Sequence, residues 1–373
     1  MRIAYVVHDF NREYGHSRYV VELARRYRAG HDVHIYASTA DAALLDGITY
    51  HHVPSVSGHA LAKIFSFLPA AAALVRGSYD IIHAQGLVTP RFNVVTAHIC
   101  NRAWFDARRQ LSLGDSWRQR AFESLVVPAE AAMYRRSRSA EVIAISGNVR
   151  HELAKLYGRT ERVSVVRHGV DVDQFDAARW AGERDEMRSR MGARTPGDVV
   201  ALFVGDLRKG VEAALRSLAL VPDVQLAVVS RGDPTPYRHQ AAELGVSERV
   251  HFLPGTPTIA PFYAAADLFL FPTPYDAFGM VITEAMSSGL PVITTRQAGA
   301  SELIDRGRNG YVVDEASDHI AIAAALRTLA LDGSHRRAMG RAAREVAREL
   351  TWDSVAKQTM VVYQRARSHR HPG

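Results

Sequence analysis

The chain alternates short runs rich in β-branched residues with longer helical stretches, and it does so in two successive series. The runs of the first series are residues 3–7, 33–36, 81–83, 93–96, 142–145 and 163–166. The runs of the second series are residues 199–204, 224–229, 250–253, 268–271, 292–294 and 311–313. Such alternation is typical of a parallel sheet with helices on both faces. We therefore predict two doubly wound α/β halves of similar build.

The length of 373 residues suits two domains, and a polar stretch at residues 177–197 indicates a linker and surface helix between them. We expect an N-terminal domain at residues 1–173 and a C-terminal domain at residues 174–354. Ligands of open α/β sheets bind beyond the carboxyl ends of the strands. Two halves that face each other would bring both sets of strand ends to one central cleft, where we expect the chemistry.

A single cysteine, Cys100, excludes an internal disulfide and fits a reducing compartment, and we expect it to be a small buried residue. The N-terminus leads directly into the first apolar run, without the features of a signal peptide. No apolar run reaches the roughly 20 residues that a membrane span needs. We expect a cytoplasmic protein, either free or bound peripherally at the inner face of the membrane.

The net charge of +7 is concentrated in the first half, where residues 1–173 hold 22 Lys and Arg against 16 Asp and Glu. A basic half-molecule is typical of binding to nucleic acid, an anionic membrane surface or an anionic substrate. Nucleic acid is the least favoured, because zinc-finger cysteines and RNA-recognition aromatics are missing. Residues 101–138 interleave 8 arginines with aromatic side chains, which indicates either an interfacial membrane contact, with residues 64–68 as an apolar wedge, or an amphipathic helix covering the sheet.

Two carboxylates, Asp276 and Glu284, stand eight positions apart with Phe278 and Gly279 between them, at the start of an expected helix. A glycine there lets a ligand approach the backbone, and the N–H groups of the first helical turn face any phosphate placed beside them. A carboxylate further along the helix can hold the hydroxyl pair of a sugar. The combination favours a sugar nucleotide as the ligand.

Adjacent cations, Arg208 and Lys209, follow another strand, where they could neutralise a diphosphate or simply form a solvated surface pair. Gly15 follows the first strand, but the G-x-G-x-x-G pattern of nicotinamide enzymes is missing. His98 follows the run at 93–96 and could donate a hydrogen bond or a proton, or be structural. The Asp-Val-Asp sequence at 171–173 matches a metal-binding pattern, but a turn or helix cap is the favoured interpretation.

Several short motifs, taken in order, resemble the retaining GT-B glycosyltransferases of family 4, which move a sugar from a nucleotide diphosphate donor. The resemblance covers essentially the whole length. It rests on Gly15 and on residues 79–86, 144–146, 168–171, 208–210, 264–267, 309–311 and 351–352.

The resemblance implies a role for each candidate residue. The family's paired acids fall on Asp276 and Glu284, with Glu284 on the donor ribose and Asp276 in place of the usual glutamate. Contact with the donor sugar and phosphates falls on Gly15, Arg208, Lys209, Phe278, Gly279, Met280 and Val281. His98 matches a histidine near the transferred sugar and the acceptor. Asp206 stands where many members have an arginine, so Arg208 must supply that guanidinium.

By this resemblance we expect two Rossmann-like domains of GT-B architecture, with a last helix at 355–373 that crosses back onto the first domain. The expected reaction is retaining glycosyl transfer without an essential metal or other cofactor. The NDP-sugar donor would bind the C-terminal half, and a lipid-linked acceptor at an anionic membrane would bind the basic N-terminal half. The alternatives are a soluble acceptor, an epimerase or a sucrose-synthase-like transferase, and a non-catalytic protein that binds sugar nucleotides.

Overall fold

The computed structural model describes residues 1–110 and 117–368. These residues form two compact units, one of residues 1–169 together with 352–368 and one of residues 170–351. The chain therefore passes from one unit to the other a few residues before each of the boundaries expected at 173/174 and 354/355. Each unit is an α/β structure with its own sheet.

The sheet of the N-terminal unit is parallel, with the strand order β5-β3-β1-β6-β7-β8-β9. A short separate pair is formed by β2 and β4. The strands are β1 Arg2–Val6, β2 Asp9–Phe10, β3 Asp32–Ala37, β4 Thr39–Ala40, β5 Thr49–His52, β6 Ile81–Gln85, β7 Val94–Ala97, β8 Glu141–Ala144 and β9 Val163–Val165. Every residue of β6 and β7 is buried, as expected of central strands covered by helices on both faces.

The helices of this unit are α1 Gly15–Tyr27, α2 Ala60–Leu74, α3 Asn101–Gln110, α4 Trp117–Arg136 and α5 Gly147–Tyr157. Local chemistry sets the bounds of α5. The Ser146 side chain accepts a hydrogen bond from the N–H of Val149 at its start, and Gly158 ends it in the left-handed conformation with φ 67°.

The sheet of the C-terminal unit is also parallel, with the order β12-β11-β10-β13-β14-β15. Its strands are β10 Val199–Val204, β11 Val224–Ser230, β12 Val250–Pro254, β13 Leu268–Phe271, β14 Val292–Thr295 and β15 Gly310–Val313. Its helices are α6 Arg184–Arg190, α7 Val211–Ala219, α8 Thr235–Glu243, α9 Ala260–Ala265, α10 Met280–Ser287, α11 His319–Leu331 and α12 Gly333–Arg348. The strand order reverses between β10 and β13, which makes their carboxyl ends the topological switch point.

The stretch at 177–197 is not the linker that the sequence predicted, because it packs as part of the C-terminal unit. It contains a 3₁₀ turn over Ala177–Glu183, followed by α6. Arg188 is buried and donates to the Asp267 carboxylate at 2.8 Å and to the Ala265 carbonyl at 3.0 Å. One arginine of this stretch therefore joins α6 to the loop before β13.

The last helix, α13 Trp352–Ser368, packs on the N-terminal unit and begins three residues earlier than the expected 355–373. Its Tyr363 hydroxyl lies 2.7 Å from Nδ1 of the buried His83 and donates to the Tyr5 hydroxyl at 2.9 Å. Residues 369–373 of the expected helix lie outside the described residues. Among the helices described, none combines the length and the apolar character needed to cross a membrane.

Candidate active site

The turn after β10 holds both predicted cations at the switch point of the C-terminal unit. It is a 3₁₀ turn over Leu207–Lys209, and the Asp206 side chain accepts the N–H of Arg208 at its start. Gly210 ends the turn with φ 115°, and a Cβ there would lie 2.3 Å from the carbonyl oxygen of Pro272. Only glycine lets the turn approach the end of β13 so closely.

Lys209 and Asp276, which are 67 positions apart in the chain, form an ion pair with 2.7 Å between Nζ and Oδ2. Both side chains are at least half-buried, at 33% and 15% exposure respectively. Arg208 pairs instead with Asp206, through contacts of 2.5–3.2 Å. These bonds lower the pKa of the Asp206 carboxyl and raise the pKa of the Arg208 guanidinium. Each cation predicted for a diphosphate therefore has its own carboxylate partner.

The segment that leads into α10 is fixed by hydrogen bonds from main-chain N–H groups to Asp276. The Asp276 side chain accepts the N–H of Phe278 at 3.2 Å, and the Asp276 carbonyl accepts the N–H of Gly299 at 2.8 Å. Gly279 is the N-cap residue of α10, with φ 88°. A Cβ there would lie 3.2 Å from Cδ1 of Ile282 and 3.8 Å from Cγ of Asp276. The first turn of α10, which holds Met280 and Val281, thus lies beside the Asp276–Lys209 pair. The N-terminus of a helix favours anions.

Glu284, in the next turn of α10, is buried with 8% exposure. Its Oε2 accepts a hydrogen bond from the Tyr263 hydroxyl at 3.1 Å. Tyr263 is fully buried, and its ring packs edge-on against Phe175 and tilted against Phe269. The carboxylate is therefore held in one orientation. Tyr263 was not among the site residues predicted from the sequence, although it directly precedes the 264–267 motif.

In the N-terminal unit, two predicted residues lie in the same region. Gly15 opens α1, and the ring of the adjacent His16 lies 6.0 Å from that of His98, which follows β7. His98 Nε2 lies 2.8 Å from Oε1 of Gln85, and its ring packs edge-on against Tyr19 at 5.3 Å. Burial lowers the pKa of His98 well below its usual value, and neighbouring imidazoles add to the effect. The ring is therefore neutral at pH 7 and suited to hydrogen bonding.

Two further residues have structural roles. Asp171 Oδ1 accepts the N–H of Gln174 at 2.9 Å, so the Asp-Val-Asp sequence begins a capped turn, as favoured from the sequence. Cys100 is buried, and burial raises the pKa of its thiol to about 12, so it is neither a nucleophile nor a redox group at neutral pH.

Two family models match successive parts of the chain. The model for Glycosyltransferase Family 4 matches residues 14–174, and the model for glycosyl transferases group 1 matches residues 185–346. A relative along most of the length is D-inositol 3-phosphate glycosyltransferase 1 of Catenulispora acidiphila, which is 28% identical over 93% of this chain and 90% of its own.

Solved structures agree on the fold. WaaG, a glycosyltransferase involved in lipopolysaccharide biosynthesis, superposes with a TM-score of 0.79 at 24% identity, over 97% of this chain and 99% of its own. HepE of Anabaena in complex with UDP-glucose gives a TM-score of 0.74 at 22% identity, over 98% and 99%. Together with the two matched models, these similarities show that the chain belongs to the group 1, family 4 glycosyltransferases and is built from two Rossmann-like domains of the GT-B class.

Proposed function

We propose that the protein is a retaining, metal-independent glycosyltransferase that moves a sugar from an NDP-sugar to a membrane-associated glycolipid or polysaccharide precursor. The observation that carries the donor part is the group formed by Lys209, Asp276 and the start of α10 at the switch point. Ligands of doubly wound sheets bind at such points. A buried carboxylate, Glu284, stands one helical turn further on, and its oxygens would accept from the hydroxyls of a ribose.

Each group has a part in donor binding and departure. The Lys209 ammonium and the N-terminus of α10 would stabilise the diphosphate as it leaves, with Arg208 as a second cation. Removal of one such preorganised donor typically costs on the order of 100-fold in rate. Because these cations and a helix terminus can neutralise the leaving group, we expect no dependence on a divalent metal. Full activity in EDTA would agree with this, and loss of activity in EDTA would contradict it.

Retention is proposed from the resemblance to the retaining family 4 enzymes, and front-face attack is proposed because Asp276 is a poor candidate for a covalent nucleophile. Asp276 already accepts from Lys209 and from the Phe278 N–H. In the proposed step the bond from the anomeric carbon to the diphosphate oxygen breaks, and the acceptor oxygen attacks the same face of an oxocarbenium-like sugar. The acceptor proton passes to the departing diphosphate. The anomeric coupling constant of the product by NMR tests this, since inversion of configuration would exclude it.

The membrane part of the proposal is supported by the surface of α2, α3 and α4. A pocket of about 550 Å³ there is lined by aromatic side chains that include Trp104 and Phe122. Trp117, which also lines the pocket, is 74% exposed, and the Arg118 guanidinium lies 5.4 Å from the centre of its ring. Exposed aromatics flanked by arginine are typical of interfaces with anionic lipid.

Flotation with phosphatidylglycerol vesicles at low salt tests this surface. We expect binding, and we expect Trp117→Ser to weaken it about tenfold, since burial of a large apolar side chain contributes roughly 1.5–3 kcal/mol. Leu331→Ser is the matched control, because Leu331 is an equally exposed apolar residue of α11. Vesicle binding that is missing, or that falls equally in both variants, would contradict the membrane proposal.

A soluble, phosphorylated polyol is the second candidate acceptor, favoured by the name of the Catenulispora relative. It would leave the donor chemistry unchanged. Transfer to inositol phosphate by a protein that does not bind vesicles would select this candidate.

A further inference from the structure

A second pocket lies in the N-terminal unit, at the end of the strands opposite to the end that carries His98. It has a volume of about 490 Å³ and lies between the C-terminal ends of α4 and α5 and the turn that precedes β9. His98 follows the carboxyl end of β7, whereas this pocket is beside the amino ends of β8 and β9, which run parallel to β7. The length of a strand, roughly 10 Å or more, separates the two regions.

The pocket is strongly basic. Arg135, Arg138, Lys155 and Arg159 line it, against one acid, Glu161. Within residues 1–110 and 117–368, Arg135, Arg138 and Lys155 have no ion-pair partner. Cations near helix C-termini favourably compensate the helix dipole, which accounts for Arg135 and Lys155. It does not account for a guanidinium that is buried beneath them.

That guanidinium belongs to Arg159, which is 4% exposed. It donates to the carbonyl oxygens of Ser137 at 3.3 Å and Ala140 at 2.5 Å. Its Nε has no hydrogen-bond partner among the described residues, and neither has the hydroxyl of Tyr134, another buried residue of the pocket wall. An unsatisfied buried polar group costs about 1–3 kcal/mol, so the wall of the pocket carries two polar atoms whose hydrogen-bonding capacity the described residues do not meet.

The turn that carries Arg159 is held in an unusual conformation. It begins with Gly158 at φ 67° and ends with Arg162 at φ 54°, the one residue other than glycine with a positive φ in the described part of the chain. Burial and the nearby Arg162 lower the pKa of Arg159. Strain and like-charge repulsion both oppose this arrangement in the free protein, and a bound anion would relieve the repulsion.

We propose that this pocket binds an organic phosphate, a phosphomonoester or diphosphate of up to nucleotide size, at a site separate from the sugar-nucleotide donor. Several cations around one buried guanidinium match the multiple charge and the several acceptor oxygens of a phosphate better than a single carboxylate. The volume is within the range of small-molecule sites. A free metabolite and a lipid headgroup share this chemistry.

Calorimetric titration of the full chain with inorganic pyrophosphate tests the site. The Lys209→Ala background removes one of the cations proposed for the donor site and weakens binding there, so that a further loss on substitution of a pocket arginine reports on the pocket. There, Arg138→Ala should weaken binding about tenfold, the effect of one lost charge-assisted hydrogen bond. Arg136→Ala is the matched control, because Arg136 is an exposed arginine of the same helix end that does not line the pocket. It should change the affinity less than twofold.

Two results would overturn the proposal: no pyrophosphate binding in the Lys209→Ala background, or equal losses in Arg138→Ala and Arg136→Ala. The source of the phosphate is decided by vesicles of phosphatidic acid, whose headgroup is a phosphomonoester, added to the same titration. Vesicles that compete with pyrophosphate, and cease to compete in Arg138→Ala, would identify a headgroup. Undiminished pyrophosphate binding in the presence of vesicles would identify a soluble phosphate.

Discussion

Replacement of Asp276 by asparagine should tighten the binding of the nucleotide diphosphate and slow glycosyl transfer at the same time. In the free protein the Lys209 ammonium is already engaged with the Asp276 carboxylate at 2.7 Å. A diphosphate must therefore share this cation with a fixed negative charge. Asparagine keeps the size of the side chain and its acceptor oxygen, but it removes that charge.

The size of the effect follows from the geometry. A phosphate oxygen held by the same ammonium at about 2.8 Å would lie at most about 5.5 Å from the carboxylate. At that separation two like charges repel by about 0.8 kcal/mol in bulk water and about 3 kcal/mol at an effective dielectric constant of 20. Lys209 and Asp276 are partly exposed, which places the site between these limits. We expect a gain of about 1–2 kcal/mol, or about five- to thirtyfold in Kd.

The assay is calorimetric titration with UDP, GDP and ADP, combined with the rate of sugar transfer. We expect kcat to fall on the order of 100-fold, because the variant lacks a charge beside the forming oxocarbenium ion. Asp206→Asn is the matched control, since Asp206 pairs with the more exposed Arg208. It should change kcat little. Weaker nucleotide binding in Asp276→Asn would refute the reasoning, because it would mean that the carboxylate positions Lys209 for the phosphate instead of competing for it.

Three further outcomes are expected. Glu284→Gln should weaken nucleotide binding about tenfold or more by calorimetry, since a bond to a charged acceptor contributes roughly 1.5–3 kcal/mol; an unchanged Kd would remove Glu284 from the ribose site. Gly279→Ala should lower the free energy of unfolding by about 1–2 kcal/mol in urea, because φ is 88° and Ile282 is close; no loss would contradict the strain. Burial lowers the pKa of His83 and of His168 to about 3, so below pH 6.5 the unfolded chain binds more protons than the folded one. The free energy of unfolding should therefore fall as the pH drops from 6.5 towards 3, by up to about 1.4 kcal/mol per pH unit for each histidine, and equal urea midpoints at pH 7 and pH 5 would contradict this.

The fold could be predicted because strands buried on both faces appear as continuous apolar runs. Every strand expected from such a run is present. One strand of the main N-terminal sheet was not predicted. It is β5, Thr-Tyr-His-His, an edge strand whose polar residues form no apolar run. The packing of residues 177–197 could not be predicted, because the burial of Arg188 depends on partners far along the chain, such as Asp267, 79 positions away.

The candidate site was predictable as separate residues but not as contacts. Spacing and local composition identified Lys209 and Asp276 individually, whereas their ion pair depends on the adjacency of β10 and β13, which lie far apart in the chain. Tyr263 was not predicted as a site residue, because a tyrosine in an apolar stretch is usually part of the core. The Arg159 pocket depends on unsatisfied polar atoms, and no sequence pattern reports those.

We propose above that the C-terminal unit binds an NDP-sugar through Lys209 and the start of α10. A thermal-shift screen of UDP-, GDP- and ADP-sugars, with and without magnesium, tests it most directly in the wild type and in Lys209→Ala. We expect one nucleotide class to raise the Tm of the wild type, magnesium to make no difference, and Lys209→Ala to lose the shift. A shift that is equal in Lys209→Ala, or that needs magnesium, would contradict it.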